Sequence, residues 1–324
     1  MATMARPAAC LVCLGPVPSG DYHVACLRNL FGADVPPAID VTEATLQTVA
    51  VATLGHTVLP GVQPKISLGM VRDRRRTLRI AAGGGQRFIL KPQNAEFAGM
   101  PQNEHLSMQI ARLFGVLVPQ HGLVRLTDGS LAYIVERFDR LPDGSKLRQE
   151  DFAQLAGVSP SQKYDLTALD CAQIVARYSS RARADLIRLY ERFVLAWWVG
   201  DGDMHAKNLS LLADAGGRHS LSPAYDIVSS AVYKDYSSAL ALPLSRDDVL
   251  LTDEAWLRFA QACLIATPTA ISILRRPGQK LALALAKLER AYLPTRAMSS
   301  DYRDCLRARA EALDGWAGRL SGQR

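Results

Sequence analysis

No stretch of this 324-residue chain approaches the roughly eighteen consecutive apolar residues that a membrane-spanning helix needs. The run "AACLVCLG" is short even for a signal-peptide core. A cytoplasmic protein without a membrane partner is therefore expected. Cysteine is scarce, with six residues, which excludes a disulfide scaffold in a chain of this size. Cys171, Cys263 and Cys305 stand singly in helical-looking segments and read as buried thiols. Internal repeats and low-complexity tracts are absent, which excludes a repeat array, and the 48% hydrophobic content excludes disorder on a large scale. What is plentiful is arginine. The formal net charge is +7, and the densest run, "RDRRRTLR" at 72–79, reads as a solvated strand or hairpin tip. The charge allows an acidic partner without requiring one.

The chain divides into three parts. Residues 1–56 form an N-terminal arm with "CLVC", the turn "GPVPSGD", "HVAC" and a proline-bearing connector. Within residues 57–140 the strands "KISLGMV", "TLRIAA" and "RFILK" follow one another, with "GGG" at 83–85 predicted to turn one antiparallel strand into the next. "NEHLSMQIARLFG" then places Leu106, Ile110 and Leu113 at helical spacing, with Gly115 as a stop, for about three turns. Two further strands flank the turn "TDG". Residues 141–324 are mainly helical, interrupted by the hairpin "NLSLLADAGGRHSLSPAYDIV". The expected fold class is α+β: a small β-rich lobe and a larger helical lobe, with a cleft between them.

Between the apolar "FVLAWWV" and "LSLL" lies "GDGDMHAKN", residues 200–208, which crowds Asp201, Asp203, His205, Lys207 and Asn208 into one junction. Asp203 and Asn208 are five apart, the Asp-to-Asn offset of the kinase catalytic loop H-R-D-x-x-x-x-N. Phosphoryl transfer needs a carboxylate to orient the attacking hydroxyl and oxygen ligands for a magnesium ion on the nucleotide phosphates. Asp226 in "PAYDIVSS" supplies a second oxygen ligand, although no D-F-G is present. In the first lobe Lys91 ends the strand "FILKP", where it can reach phosphates, and Glu104 can pair with it. "GVQPK" offers the backbone of Gly61, Val62 and Gln63, and the charge of Lys65, to the same phosphates. Singly these signals are weak, but their order along the chain is not easily accidental.

Together, "GVQPK", "FILKP", "NEHLSMQIARLFG", "VERFDR", "GDGDMHAKN" and "PAYDIVSS" resemble the HipA-like serine/threonine kinases of bacterial toxin–antitoxin systems, from about residue 57 onward. The short HipT-type members are the most similar. The resemblance implies a two-lobed, protein-kinase-like fold that uses ATP and Mg2+. Asp203 would be the catalytic base, with His205 and Lys207 lining the loop and Lys207 near the transferred phosphate. Asn208 and Asp226 would hold magnesium, and Lys91 would meet the α/β-phosphates. Glu136 to Phe138 would be the hinge whose backbone meets adenine. It further implies a HipB-type antitoxin partner, a small HipS-like protein, DNA contact only through the antitoxin, and an aminoacyl-tRNA synthetase as target. Short relatives carry serines before the glycine loop. Here "HTVLPG" has only Thr57 as a hydroxyl, so restraint by a partner is expected rather than self-phosphorylation.

Two other readings stay open at this level. One keeps the fold and moves the acceptor to a small molecule or lipid head group. The other is a DNA-associated regulator whose kinase lobe only binds nucleotide, against which the intact set of Lys91, Asp203, Asn208 and Asp226 argues. In the arm, Cys10, Cys13, His23 and Cys26 form C-x2-C-x9-H-x2-C. This set suits a structural, tetrahedral zinc, although thiols in a reducing compartment also persist without metal.

Overall fold

The computed structural model describes residues 9–39, 65–70, 77–80, 87–141, 143–248 and 250–322. They form two compact units: Met1–Gln109 with Pro119–Lys146 and Ala286–Arg296, and Ile110–Val118 with Leu147–Leu285 and Ala297–Arg324.

The first unit is built on five antiparallel strands: β1 (Ile66–Met70), β2 (Leu78–Ile80), β3 (Phe88–Lys91), β4 (His121–Arg125) and β5 (Leu131–Glu136). Their order is β2-β1-β3-β5-β4. Alternation along the strands separates two faces. Ile66, Leu68, Phe88, Leu90, Ala132 and Ile134 share one buried cluster with Val12, Val17, Leu27, Leu30 and Phe31. The N-terminal segment, with helix α1 (Val24–Phe31), is therefore the layer over this face and part of the unit's core. Phe31 meets Phe88 with ring centroids 5.8 Å apart. Burying such a side chain contributes about 1.5–3 kcal/mol.

The opposite face carries Lys91 and Tyr133, which are register partners, and is covered by the first part of helix α2 (Met100–Phe114). That helix runs four turns rather than three, and Gly115 at φ +105° ends it in a conformation that favours glycine. One strand-level expectation is corrected. β2 and β3 do not pair, because β1 lies between them and is antiparallel to both. A glycine-rich link is consistent with a local hairpin, but the sheet order follows from which apolar edges pair, and "GGG" itself lies outside the described residues.

The second unit centres on helix α5 (Ala182–Val199), which buries Leu186, Leu189, Tyr190, Phe193, Val194 and Trp198. Short strands β6 (Gln149–Asp151), β7 (Ser210–Ala213) and β8 (His219–Leu221) pair in that order. Helices α3 (Phe152–Ala156), α4 (Ala168–Tyr178), α6 (Asp253–Ala262), α7 (Thr267–Arg290) and α8 (Arg296–Gly322) complete the chain. Thr167 caps α4 through the Asp170 N–H and Thr252 caps α6 through the Ala255 N–H. Tyr190 and Phe193 pack on Phe259 of α6 at 5.3 and 5.2 Å. Cys171 and Cys263 are buried as expected, whereas Cys305 on α8 is only partly covered. Among the described residues no helix is long and apolar enough to cross a membrane.

Candidate active site

Helix α5 ends at Gly200, whose φ of +74° releases the chain into the polar loop. The loop is packed from beneath. Asp201 is buried, and its Oδ1 accepts the Asp203 N–H at 3.0 Å. The Gly202 N–H donates to Ser230 Oγ at 2.8 Å. A single 3-10 turn, Ala206–Asn208, closes the loop. His205 N–H donates to Asn208 Oδ1 at 3.2 Å, and Asn208 N–H donates to the His205 carbonyl at 2.9 Å. Asp203 and Lys207 are exposed, and Asn208 is half-buried.

Tyr164 donates its hydroxyl to Asp203 Oδ1 at 2.5 Å and stands edge-on to His205 at 5.2 Å. Burial lowers the His205 pKa below its ordinary 6.5, so the imidazole is neutral at physiological pH. The Tyr225 hydroxyl lies within hydrogen-bond reach of the Lys207 carbonyl at 3.0 Å and Ser210 Oγ at 3.1 Å, tying the loop to β7. Asp226 follows with φ +57°, a left-handed conformation that Asp tolerates better than most side chains and that clusters at functional positions. Burial first, and then the neighbouring Asp203 and Asp226 carboxylates, push the Asp201 carboxyl well above its ordinary pKa. The three carboxylates thus share one electrostatic neighbourhood.

The two glycines have separate reasons. A Cβ at Gly202 would lie 2.1 Å from the Ser237 carbonyl oxygen, and one at Gly200 would lie 2.8 Å from Ala231 Cβ. Gly202→Ala is expected to force the loop off its backbone support. It should lower the melting temperature by several degrees and reduce any loop-dependent activity at least about tenfold. Thermal unfolding by circular dichroism checks the first part, and unchanged melting would contradict this packing.

In the first unit Lys91 Nζ lies 2.5 Å from Glu104 Oε1, with side chains 3% and 1% exposed. The ammonium also stands 5.5 Å from the Tyr133 ring centroid. Lys65 directly precedes β1 and is exposed. Gly61, Val62 and Gln63 lie outside the described residues, as do Thr57 and the rest of "HTVLPG".

The expected hinge, Glu136 to Phe138, starts at the end of β5. Glu136 N–H donates to the Gln120 carbonyl and Arg137 N–H to the Arg87 carbonyl, both at 2.8 Å, while the Glu136 carboxylate pairs with Arg87. Those two amides are engaged within the unit. Asp201 and Tyr164 were given no role by sequence reasoning. Asp201 sits within the motif but looks like an ordinary turn residue, and Tyr164 is 39 positions from its partner. The four arm residues Cys10, Cys13, His23 and Cys26 come together, with all ligand atoms within 4.8 Å of one another.

A sheet with a buried Lys–Glu pair against its helix, and a helical unit carrying an Asp-x4-Asn loop followed by a second Asp, define a kinase-like protein. The chain belongs to the family of the HipA-like C-terminal domain, whose model matches residues 57–285. It is 32% identical to the Sinorhizobium fredii protein named "Putative kinase Y4mE" over 221 residues, which are 65% of this chain and 51% of that protein. Shewanella oneidensis HipA, a serine/threonine-protein kinase toxin, is 28% identical over 161 residues, 44% of this chain and 37% of that one. Its structure with HipB and operator DNA superposes with a TM-score of 0.68 at 21% identity, covering 83% of this chain and 67% of that chain. The Helicobacter pylori proinflammatory kinase CtkA gives a TM-score of 0.60 at 12% identity over 89% of this chain and 100% of its own. The chain spans about half the length of the Sinorhizobium relatives it matches.

Proposed function

We propose that the protein is an ATP- and magnesium-dependent serine/threonine protein kinase acting as the toxin of a HipA-type toxin–antitoxin pair. The observation that carries this reading is the closed His205–Asn208 turn, which leaves Asp203 exposed beside the Asp201 and Asp226 carboxylates. Asp203 orients the acceptor hydroxyl and takes up its proton. Tyr164 donates to Oδ1, which fixes the carboxylate and directs Oδ2 to the acceptor. Lys91, held by Glu104, meets the nucleotide phosphates, and Lys207 contributes charge near the transferred group.

The donors fit magnesium. Asn208 and Asp226 offer the oxygen ligands a hard cation prefers, and the Asp203 and Asp226 carboxylates that act on Asp201 bring negative charge that a divalent ion relieves. Asn208 and Asp226 would hold the ion, and bound magnesium supplies neutralisation of phosphate charge. The partner is a HipB-type antitoxin, with DNA reached only through it, as the HipA–HipB–DNA assembly of the Shewanella relative supports. A partner protein, rather than the glycine loop, restrains the kinase, a small HipS-like protein is a further partner, and the target is an aminoacyl-tRNA synthetase.

The test is phosphate transfer from γ-labelled ATP to lysate proteins, with mass spectrometry of the labelled band. Label on a Ser or Thr of a protein is expected. Label confined to small molecules, or none, would overturn the reading. Asp226→Ala is expected to remove most of the magnesium dependence of nucleotide binding in calorimetry, and unchanged dependence would remove Asp226 from the ligand set.

A further inference from the structure

The arm chemistry is not used by the kinase reading and stands apart from it. Cys10 and Cys13 lie in a tight loop. Leu14 N–H donates to the Cys10 carbonyl at 2.9 Å, Cys10 N–H donates to the Gly15 carbonyl at 2.8 Å, and Leu14 adopts φ +57°. His23 is the N-cap of α1 and Cys26 lies in its first turn, three positions on. A knuckle and a helix start therefore face each other. His23 Nδ1 lies 3.4 Å from Cys13 Sγ and 3.9 Å from Cys26 Sγ. In tetrahedral zinc with Zn–S of about 2.3 Å and Zn–N of about 2.0 Å, sulfur and nitrogen stand about 3.6 Å apart and two sulfurs about 3.8 Å. The observed distances bracket the first value, and the 4.8 Å spread of the whole set leaves room for one ion with only a small contraction.

The surroundings match a metal site as well. His23 Nε2 is 2.9 Å from the Pro16 carbonyl, which requires the proton on Nε2 and leaves the Nδ1 lone pair toward the thiols. Backbone amides of His23 and Gly15 donate to Cys10 Sγ and Cys13 Sγ, each at 3.4 Å, as they would to thiolates. Gly15 packs closely against the set, since a Cβ there would sit 3.2 Å from Cys13 Sγ and 3.4 Å from His23 Cε1. None of the three cysteines is engaged in a disulfide.

We infer that Cys10, Cys13, His23 and Cys26 bind one zinc ion in a closed structural site that locks the N-terminal segment onto the sheet carrying Lys91. The lock acts through short contacts beside the ligands. The Leu11 carbonyl accepts the Leu123 N–H of β4 at 2.7 Å, and Tyr22 donates to the Leu123 carbonyl at 3.1 Å. Gln109 Nε2 donates to the Val12 carbonyl at 2.9 Å, and Lys287 donates to the Cys13 carbonyl at 2.8 Å. With four protein ligands no position is open for catalysis, so the ion stabilises the segment and takes no part in phosphate transfer.

Untagged full-length protein, purified without chelator, is expected to contain about one zinc per chain by mass-spectrometric elemental analysis. Replacement by cobalt(II) should give the intense visible absorption of a tetrahedral, thiolate-bound ion. Stripping zinc should lower the melting temperature by at least about 5 °C, with recovery on adding one equivalent of zinc. Cys13→Ser should release the metal, whereas Cys171→Ala, with a thiol buried elsewhere, should retain it. Metal-free protein with unchanged melting would overturn the site, as would an intramolecular disulfide within the set seen by non-reducing mass analysis. None of these readouts involves phosphate transfer, so a failed kinase reading would leave the zinc result intact.

Discussion

Asp203→Asn is expected to reduce phosphate transfer by about three orders of magnitude or more while ATP binds within about threefold of the parent. The substitution is nearly isosteric. Asn keeps an oxygen to accept the Tyr164 hydroxyl, and the backbone amide that donates to Asp201 is untouched. What is lost is the charge that orients and deprotonates the acceptor. A structural residue would instead show its effect in folding. Paired measurements of single-turnover transfer and nucleotide affinity decide the matter, and activity within tenfold of the parent would take Asp203 out of this role.

The second large effect concerns the buried ion pair. Lys91→Met leaves the Glu104 carboxylate buried opposite a thioether, and breaking one partner of such a pair costs about 3–5 kcal/mol. Stability and transfer should therefore fall together. Replacing both, as Lys91→Met with Glu104→Leu, removes the uncompensated charge and should restore most of the stability, because a buried pair adds little over well-packed apolar side chains. Transfer should not recover, since the Lys91 charge assigned to the nucleotide phosphates is gone. Denaturant unfolding and steady-state kinetics on both variants separate the roles. A double variant that regains activity as well as stability would show that Lys91 serves only the fold.

Most elements could be read from the chain because their signals are local. Helix α5 ends in the uniformly apolar run "FVLAWWV" with a glycine after it, and β4 and β5 flank a turn whose Gly129 takes φ +84°. The site loop was legible as a motif for the same reason. The rest depended on distant partners. β6, with the sequence "QED", has no β-forming pattern of its own and is a strand because β7 pairs with it. Tyr164 reaches Asp203 through the tertiary fold alone. The packing of the arm was not legible because its core neighbours, such as Phe88 and Val124, lie tens of residues further along the chain.

The N-terminal segment touches both outer strands of the five-stranded sheet. At one side Leu11 accepts from Leu123 of β4, and at the other Ala38 accepts from Leu78 of β2, where Ile39 bridges in parallel. Outer strands are where an open sheet recruits foreign backbone, so this segment guards against self-association. A chain that lost its grip there would present two sticky rims and is expected to precipitate or form intermolecular sheet. The segment that serves no step of phosphate transfer thus covers backbone on both edges of the sheet.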